Sequence, residues 1–231
     1  MTFRQTSFIL SPLEILTLLK MGIKERKTKH KEDLRRMILD AARDLFVTEG
    51  YRNASIRKIA EKIEYSPTAI YFYFRDKAEI LDALCAETFS ELDATLKSLN
   101  RQQSDSLKML RTCARAYIDF GLSHPHHYLL VFVMDDQSVF QGERAEHKSK
   151  YGMQCFNNLR QSVKQAMDDG YLVEADLETT CQAVWAAMHG VTALLLTQPG
   201  FPFVEREHLI NRMIDMILDG IRRRDEPAVS A

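Results

Sequence analysis

Between Tyr51 and Leu81 the chain reads YRNASIRKIAEKIEYSPTAIYFYFRDKAEIL, and three helix starts are crowded into it. Ser55 precedes Ile56, Ile59, Ala60 and Ile63, which recur at helical spacing and mark the buried face of a short helix. A serine hydroxyl in that position accepts a hydrogen bond from a backbone N–H that the helix itself leaves unpaired. Ser66 offers the same cap to the next segment, and Pro67 suits a first helical position, where no N–H is needed. Asp76 with Glu79 three residues later gives a third start, close to a capping box. The middle helix has room for only about two turns, too few to be stable alone in water. Its neighbours must hold it, and it is crowded with tyrosine and phenylalanine.

A short helix, a tight connection and a second short helix presented outward is the pattern of a helix-turn-helix whose second helix enters a DNA groove. Upstream, Leu34, Ile38, Ala41, Ala42, Leu45 and Phe46 keep the helical period and stop at Glu49-Gly50, completing a three-helix head. Charge divides along the same line. Residues 21–80 hold 14 Lys or Arg against 10 Asp or Glu, whereas residues 81–231 hold 15 against 21. The net charge of −1 therefore conceals a basic head on an acidic body, and a polyanion would be drawn to the head. Lys24, Arg26, Lys27, Lys29, Lys31, Arg35 and Arg36 cluster at the front of the head, where they add to this attraction. Their alternative reading is a solvated charged surface.

Gly50, Tyr51, Ser55, Ile56, Ile59, Ala60, Ser66, Ile70, Tyr71, Tyr73, Phe74, Lys77 and Leu81 together resemble the DNA-binding domain of the tetracycline-repressor (TetR/AcrR) family of bacterial regulators. The resemblance covers roughly residues 28–85. The chain departs from the family pattern at Glu64-Tyr65, where Gly-Val is usual, and at Thr68, where glycine or alanine is common. A non-glycine residue at 64 must avoid or tolerate a left-handed backbone. The resemblance implies that Ser55 and Arg57 reach phosphate from the second helix. It also implies that Ser66, Pro67, Thr68 and Ala69 open the recognition helix, whose N-terminal residues meet base edges. Tyr71, Tyr73 and Lys77 are implied phosphate contacts, with core packing the alternative for either tyrosine. Only Thr68 carries an obvious base-reading group.

The remaining chain shows no trustworthy strand alternation, and the expected fold is all-α. A long connecting helix carries Leu81, Leu84, Phe89, Leu92, Leu96 and Leu99. A polar loop at 100–106 follows, then a helix from Leu107 to Gly121 and a short apolar run from Tyr128 to Met134. A loop to about Gly142 leads into a helix ending at Asp169-Gly170. Asp176 caps a helix that stops before Pro199-Gly200-Phe201-Pro202, and a last helix runs from about Val204 to Arg222-Arg223-Arg224. The last two helices resemble the family's dimerisation pair, so a homodimer reading two half-sites of a near-palindromic operator is implied. Trp185, His189 and Gly190 resemble a Trp-x-x-x-His-Gly subgroup signature, which places them at a ligand pocket or dimer seam, or else makes them a helix-packing core pair. Tyr117, Tyr128, Phe132, Met153, Phe156, Trp185 and His189 are the candidate pocket walls. The expected division is an extension over 1–27, a head over 28–80, a ligand-binding and dimerisation body over 81–224, and a tail over 225–231.

Cys85, Cys113, Cys155 and Cys181 lie unpaired in apolar helical contexts, which fits reduced core residues of a cytoplasmic protein. His124, His126 and His127 lack the spacing of a closed metal site and are expected in a helix-start loop on the pocket side. No phosphate loop, nucleophile elbow or HExxH helix points to an enzyme, and no cofactor is expected. The stretch FILSPLEILTLLKMG is broken by Pro12 and Glu14 and too short to span a bilayer. Either translation begins at Met21 or this stretch adds an amphipathic helix. The reading is a homodimeric DNA-binding transcriptional regulator, a repressor released from double-stranded DNA by a small-molecule effector. A same-fold activator or protein-controlled regulator, and a helical enzyme or metal protein, are the rival readings.

Overall fold

The computed structural model describes residues 12–100, 105–133 and 143–223. Among these the chain is all-α, with no strand and one isolated bridge between Leu172 and Arg222. The helices are α1 (Pro12–Glu49), α2 (Ile56–Lys62), α3 (Pro67–Tyr71), α4 (Lys77–Asn100), α5 (Ser106–Ser123), α6 (Pro125–Tyr128), α7 (Glu143–Asp168), α8 (Leu177–Thr197) and α9 (Arg206–Ile221). A π-helical turn, Leu129–Val133, extends α6. Residues 1–11, most of the polar loop after Asn100, the loop to Gly142 and the tail lie outside the described residues.

Side-chain oxygens set the helix starts. Ser55 Oγ accepts from Lys58 N at 3.2 Å and Ser66 Oγ from Ala69 N at 3.2 Å, while Asp76 Oδ1 accepts from Glu79 N at 2.8 Å. The Glu79 carboxylate turns back to accept from Arg75 N at 2.7 Å, as the third residue of a capping box reaches back toward the cap. Asp105 and Asp176 cap α5 and α8 in the same manner. α1 differs from expectation in length, because it continues back through Gly22 and Met21 to Pro12. The basic cluster at its front is thus helical, and Arg26, Lys27, Lys29 and Lys31 stand exposed on it.

The head closes as Ile38, Leu39, Ala42 and Phe46 of α1 meet Ile59 and Ala60 of α2, Ile70 of α3 and Ile80, Leu81 and Leu84 of α4. The expected boundary at 80/81 therefore falls inside α4, which serves head and body alike. In the body α4 packs on α7 and α5, α5 also on α8 and α9, and α8 on α9. Gly121 permits the tightest crossing of α5. A Cβ there would stand 2.5 Å from Thr192 Cγ2 and 2.8 Å from Tyr128 Cδ2. His124–His127 were expected in a helix-start loop on the pocket side; they do lie at a helix start, and the pocket-side placement is corrected. His124 caps α6, which contains the other two histidines, and α6 packs on α1 and α4, with His126 Nδ1 3.1 Å from Asp44 Oδ1.

The α2–α3 turn tolerates its non-glycine residue. Glu64 has φ +60°, the left-handed region. Tyr65 N donates to Ala60 O at 2.9 Å and Glu64 N to Glu61 O at 3.2 Å, the two bonds of a Schellman ending. Such a backbone costs an L-residue about 1 kcal/mol. Replacing exposed Glu64 with glycine should therefore raise unfolding stability by up to about 1 kcal/mol, less the entropy glycine adds to the unfolded chain. Urea unfolding checks this, and a lower midpoint for Glu64→Gly would contradict the strained turn.

Candidate nucleic-acid interface and body cavity

α3 is five residues long and turns one side to the core. Ile70 and, just beyond it, Phe74 are buried, whereas Ser66, Pro67 and Thr68 are exposed and Ala69 is half-buried. Tyr71 is 57% exposed and Phe72 81%. Tyr73 instead leans on the core, so the two candidate tyrosines part company. Both capping serines use an oxygen lone pair inward, which leaves the hydroxyl proton able to donate outward. Arg57 lies exposed on α2, its Nε 2.9 Å from Glu61 Oε1. A pair so wet contributes little to stability and can be exchanged for a phosphate.

Lys77 was expected at phosphate, but its ammonium is turned toward the protein's own backbone. Nζ donates to Tyr51 O at 2.7 Å, Ala54 O at 3.0 Å and Arg52 O at 3.4 Å, and lies 4.2 Å from the Tyr51 ring centroid. The first turn of α4 is thereby tied to the α1–α2 connection. Asp44 of α1 makes a second tie, accepting from Lys62 of α2 and facing His126 of α6. Burial raises the Asp44 pKa, but these hydrogen bonds outweigh it and hold the carboxyl below the usual value. Burial, with help from the Arg43 cation, pushes His127 down to about 4, so this ring is neutral at ordinary pH.

A cavity of about 750 Å³ opens among α4, α5, the π-helical turn, α7 and α8. Of the expected walls, Tyr117, Phe132, Met153, Phe156 and Trp185 line it. Tyr128 and His189 do not, and this corrects their placement. Tyr128 is fully buried and its hydroxyl lies 2.6 Å from His189 Nδ1, so the two occupy each other behind the wall. Burial lowers the His189 pKa and raises that of Tyr128. Trp185 Nε1 donates to Tyr117 Oη at 3.2 Å, and both residues line the cavity. Periodicity missed the α4 side, Phe89, Leu92 and Leu96, and the polar edge formed by Lys148, Asn158, Glu178 and Gln182. Burial depresses the Lys148 pKa and lifts that of Cys155 to about 12, so the wall thiol is protonated. Among the described residues no group of His, Cys, Asp or Glu is arranged to hold a metal ion, and no helix is long and apolar enough to cross a membrane.

A capped helix-turn-helix with an exposed recognition face, mounted on a helical body with a half-open cavity between its helices, defines a DNA-binding regulator. The model of bacterial regulatory proteins of the tetR family matches residues 38–84, and that of the tetracyclin repressor-like C-terminal domain matches residues 110–217. The chain belongs to the TetR family of transcriptional regulators. It is 24% identical over 164 residues to the HTH-type transcriptional regulator AcrR of Shigella flexneri, covering 69% of this chain and 76% of that protein. Its fold is similar to FadR of Bacillus subtilis in complex with stearoyl-CoA, with TM-score 0.70, 18% identity, and 80% and 98% of the two chains covered. It is also similar to the ketosteroid regulator KstR2 of Mycobacterium tuberculosis, with TM-score 0.67, 18% identity, and 82% and 95% covered.

Removing the Lys77 ammonium leaves carbonyls of the α1–α2 connection short of a donor. Lys77→Met should lower unfolding stability by about 2 kcal/mol, the scale of a charge-assisted hydrogen bond. Denaturant titration with an unchanged m-value checks this, and a wild-type midpoint would show that the tie carries no weight.

Proposed function

We propose that the chain is a homodimeric, cytoplasmic repressor that binds a near-palindromic operator and is released by a small, largely apolar effector. Ser55, Arg57, Ser66 and Tyr71 meet phosphate, Thr68 reads a base edge with Pro67 and Ala69 beside it, and Lys77 and Tyr73 brace the head from behind. No catalytic step is assigned to it.

One observation carries the effector reading. Val131 and Phe132 line the cavity and continue directly from α6, whose His126 meets Asp44 of the head. A ligand pressing on that turn changes how α6 seats on α1, and so changes the angle at which the head is held. It acts only insofar as it binds the two arrangements unequally. The apolar lining suits a drug-sized hydrophobic molecule, as the stearoyl-CoA complex of FadR also suggests. The dimer reading is supported by exposed Leu194, Phe201, Val204 and Met216 on and between α8 and α9. Gly190 of α8 supports it too, because no described neighbour lies within 4 Å of where its Cβ would be. A second copy can approach closely there.

Selection of bound duplexes from a random pool at fixed salt, with mass measurement of the complex, tests this reading. The expected product is an inverted repeat whose half-sites lie about one helical turn apart, bound by an even number of chains. Recovery of no repeat, or binding by a single chain, would contradict it.

A further inference from the structure

Phe72 is the most exposed large apolar side chain among the described residues, at 81%. It stands immediately after α3, four residues beyond Thr68 and one beyond Tyr71, with αR backbone angles that continue the helical path. Helical spacing therefore puts Thr68, Tyr71 and Phe72 on one side, with buried Ile70 on the other. Tyr65, Tyr71 and Tyr73 each carry a hydroxyl that can donate to phosphate, and Phe72 has none. Whatever Phe72 meets on a nucleic acid must be apolar. On the edges exposed in the major groove, the apolar group is the C5-methyl of thymine.

We propose that Phe72 is a specificity-determining residue that packs on a thymine methyl in each half-site of the operator, an inference that rests on the DNA-binding reading above. Four residues of helix advance about 6 Å, and base pairs of one strand are spaced about 3.4 Å. The thymine thus lies about two base pairs from the pair that Thr68 meets. Thr68 and Phe72 together then read two positions of the half-site, where the polar groups of α3 alone offer one.

The test replaces each thymine of a selected operator in turn by deoxyuridine, which deletes the methyl and keeps every hydrogen bond. The wild-type chain should lose affinity about fourfold per half-site at one thymine, the scale of one buried methylene-sized group. Phe72→Leu should keep that dependence. Phe72→Ala should bind more weakly overall and treat thymine and deoxyuridine alike, with both variants unfolding at the wild-type midpoint. Wild-type indifference to every deoxyuridine overturns the inference, as does an unchanged deoxyuridine penalty in Phe72→Ala. These outcomes are distinct from failure of the DNA-binding reading, which would show as no selected duplex at all and would remove this inference with it.

Discussion

The head rests on one half-buried charge. Lys77 reaches from the first turn of α4 to three carbonyls of the α1–α2 connection and lies over the Tyr51 ring. A seven-residue α2 and a five-residue α3 cannot persist alone, because helix nucleation outweighs the few hydrogen bonds they gain. They hold their places because Ile59, Ile70 and Phe74 are buried between α1 and α4, and because the charge of Lys77 locks those two helices at one end. The exposed side of α3 is then fixed in direction without contributing to the core itself.

Since α4 also forms a wall of the cavity, the element that aims α3 is an element that borders the cavity. α6 joins them a second time through His126 and Asp44. Much of the polar chemistry in and behind the wall is internally matched. The indole N–H of Trp185 is given to Tyr117, and the Tyr128 hydroxyl and His189 ring face each other at 2.6 Å. Matched buried groups resist rearrangement, since opening one leaves its partner unsatisfied in a low-dielectric interior. Such a wall favours a few discrete arrangements over continuous yielding, which is what a two-position switch requires.

The capped starts were legible because their chemistry is local. Ser55, Ser66, Asp76 and Asp176 act within three residues of themselves, so a linear reading finds them, whereas Asp105, which caps α5 in the same way, was read only as part of a polar loop. The strained turn was visible as a risk at Glu64, though only the backbone shows that the left-handed conformation is tolerated. Long-range partners were not legible. Lys77 looks the same in sequence whether it faces phosphate or carbonyl, and its acceptors lie 23 to 26 residues away. Tyr128 and His189 share the apolar periodicity of Tyr117 and Trp185, which cannot separate a cavity wall from the layer behind it. Phe72 was passed over among four successive aromatic residues. Its signal was present in its spacing, two residues from Ile70 and two from Phe74, which turns it away from the core. The backward reach of α1 to Pro12 went unread although Ser11-Pro12 repeats the Ser66-Pro67 pattern, because Gly22 and the charged run after it drew the start of the helix later.

Coupling between cavity and head is the central claim, and the only tryptophan of the chain lies in the cavity wall to report on it. The direct measurement titrates compounds that change Trp185 emission, in the absence and presence of saturating operator duplex, alongside operator affinity with and without each compound. A ligand that weakens operator binding by some factor must itself be weakened by operator by the same factor. Matching factors above one are the expected result. A compound that fills the cavity by this signal yet leaves operator affinity unchanged would contradict the coupling.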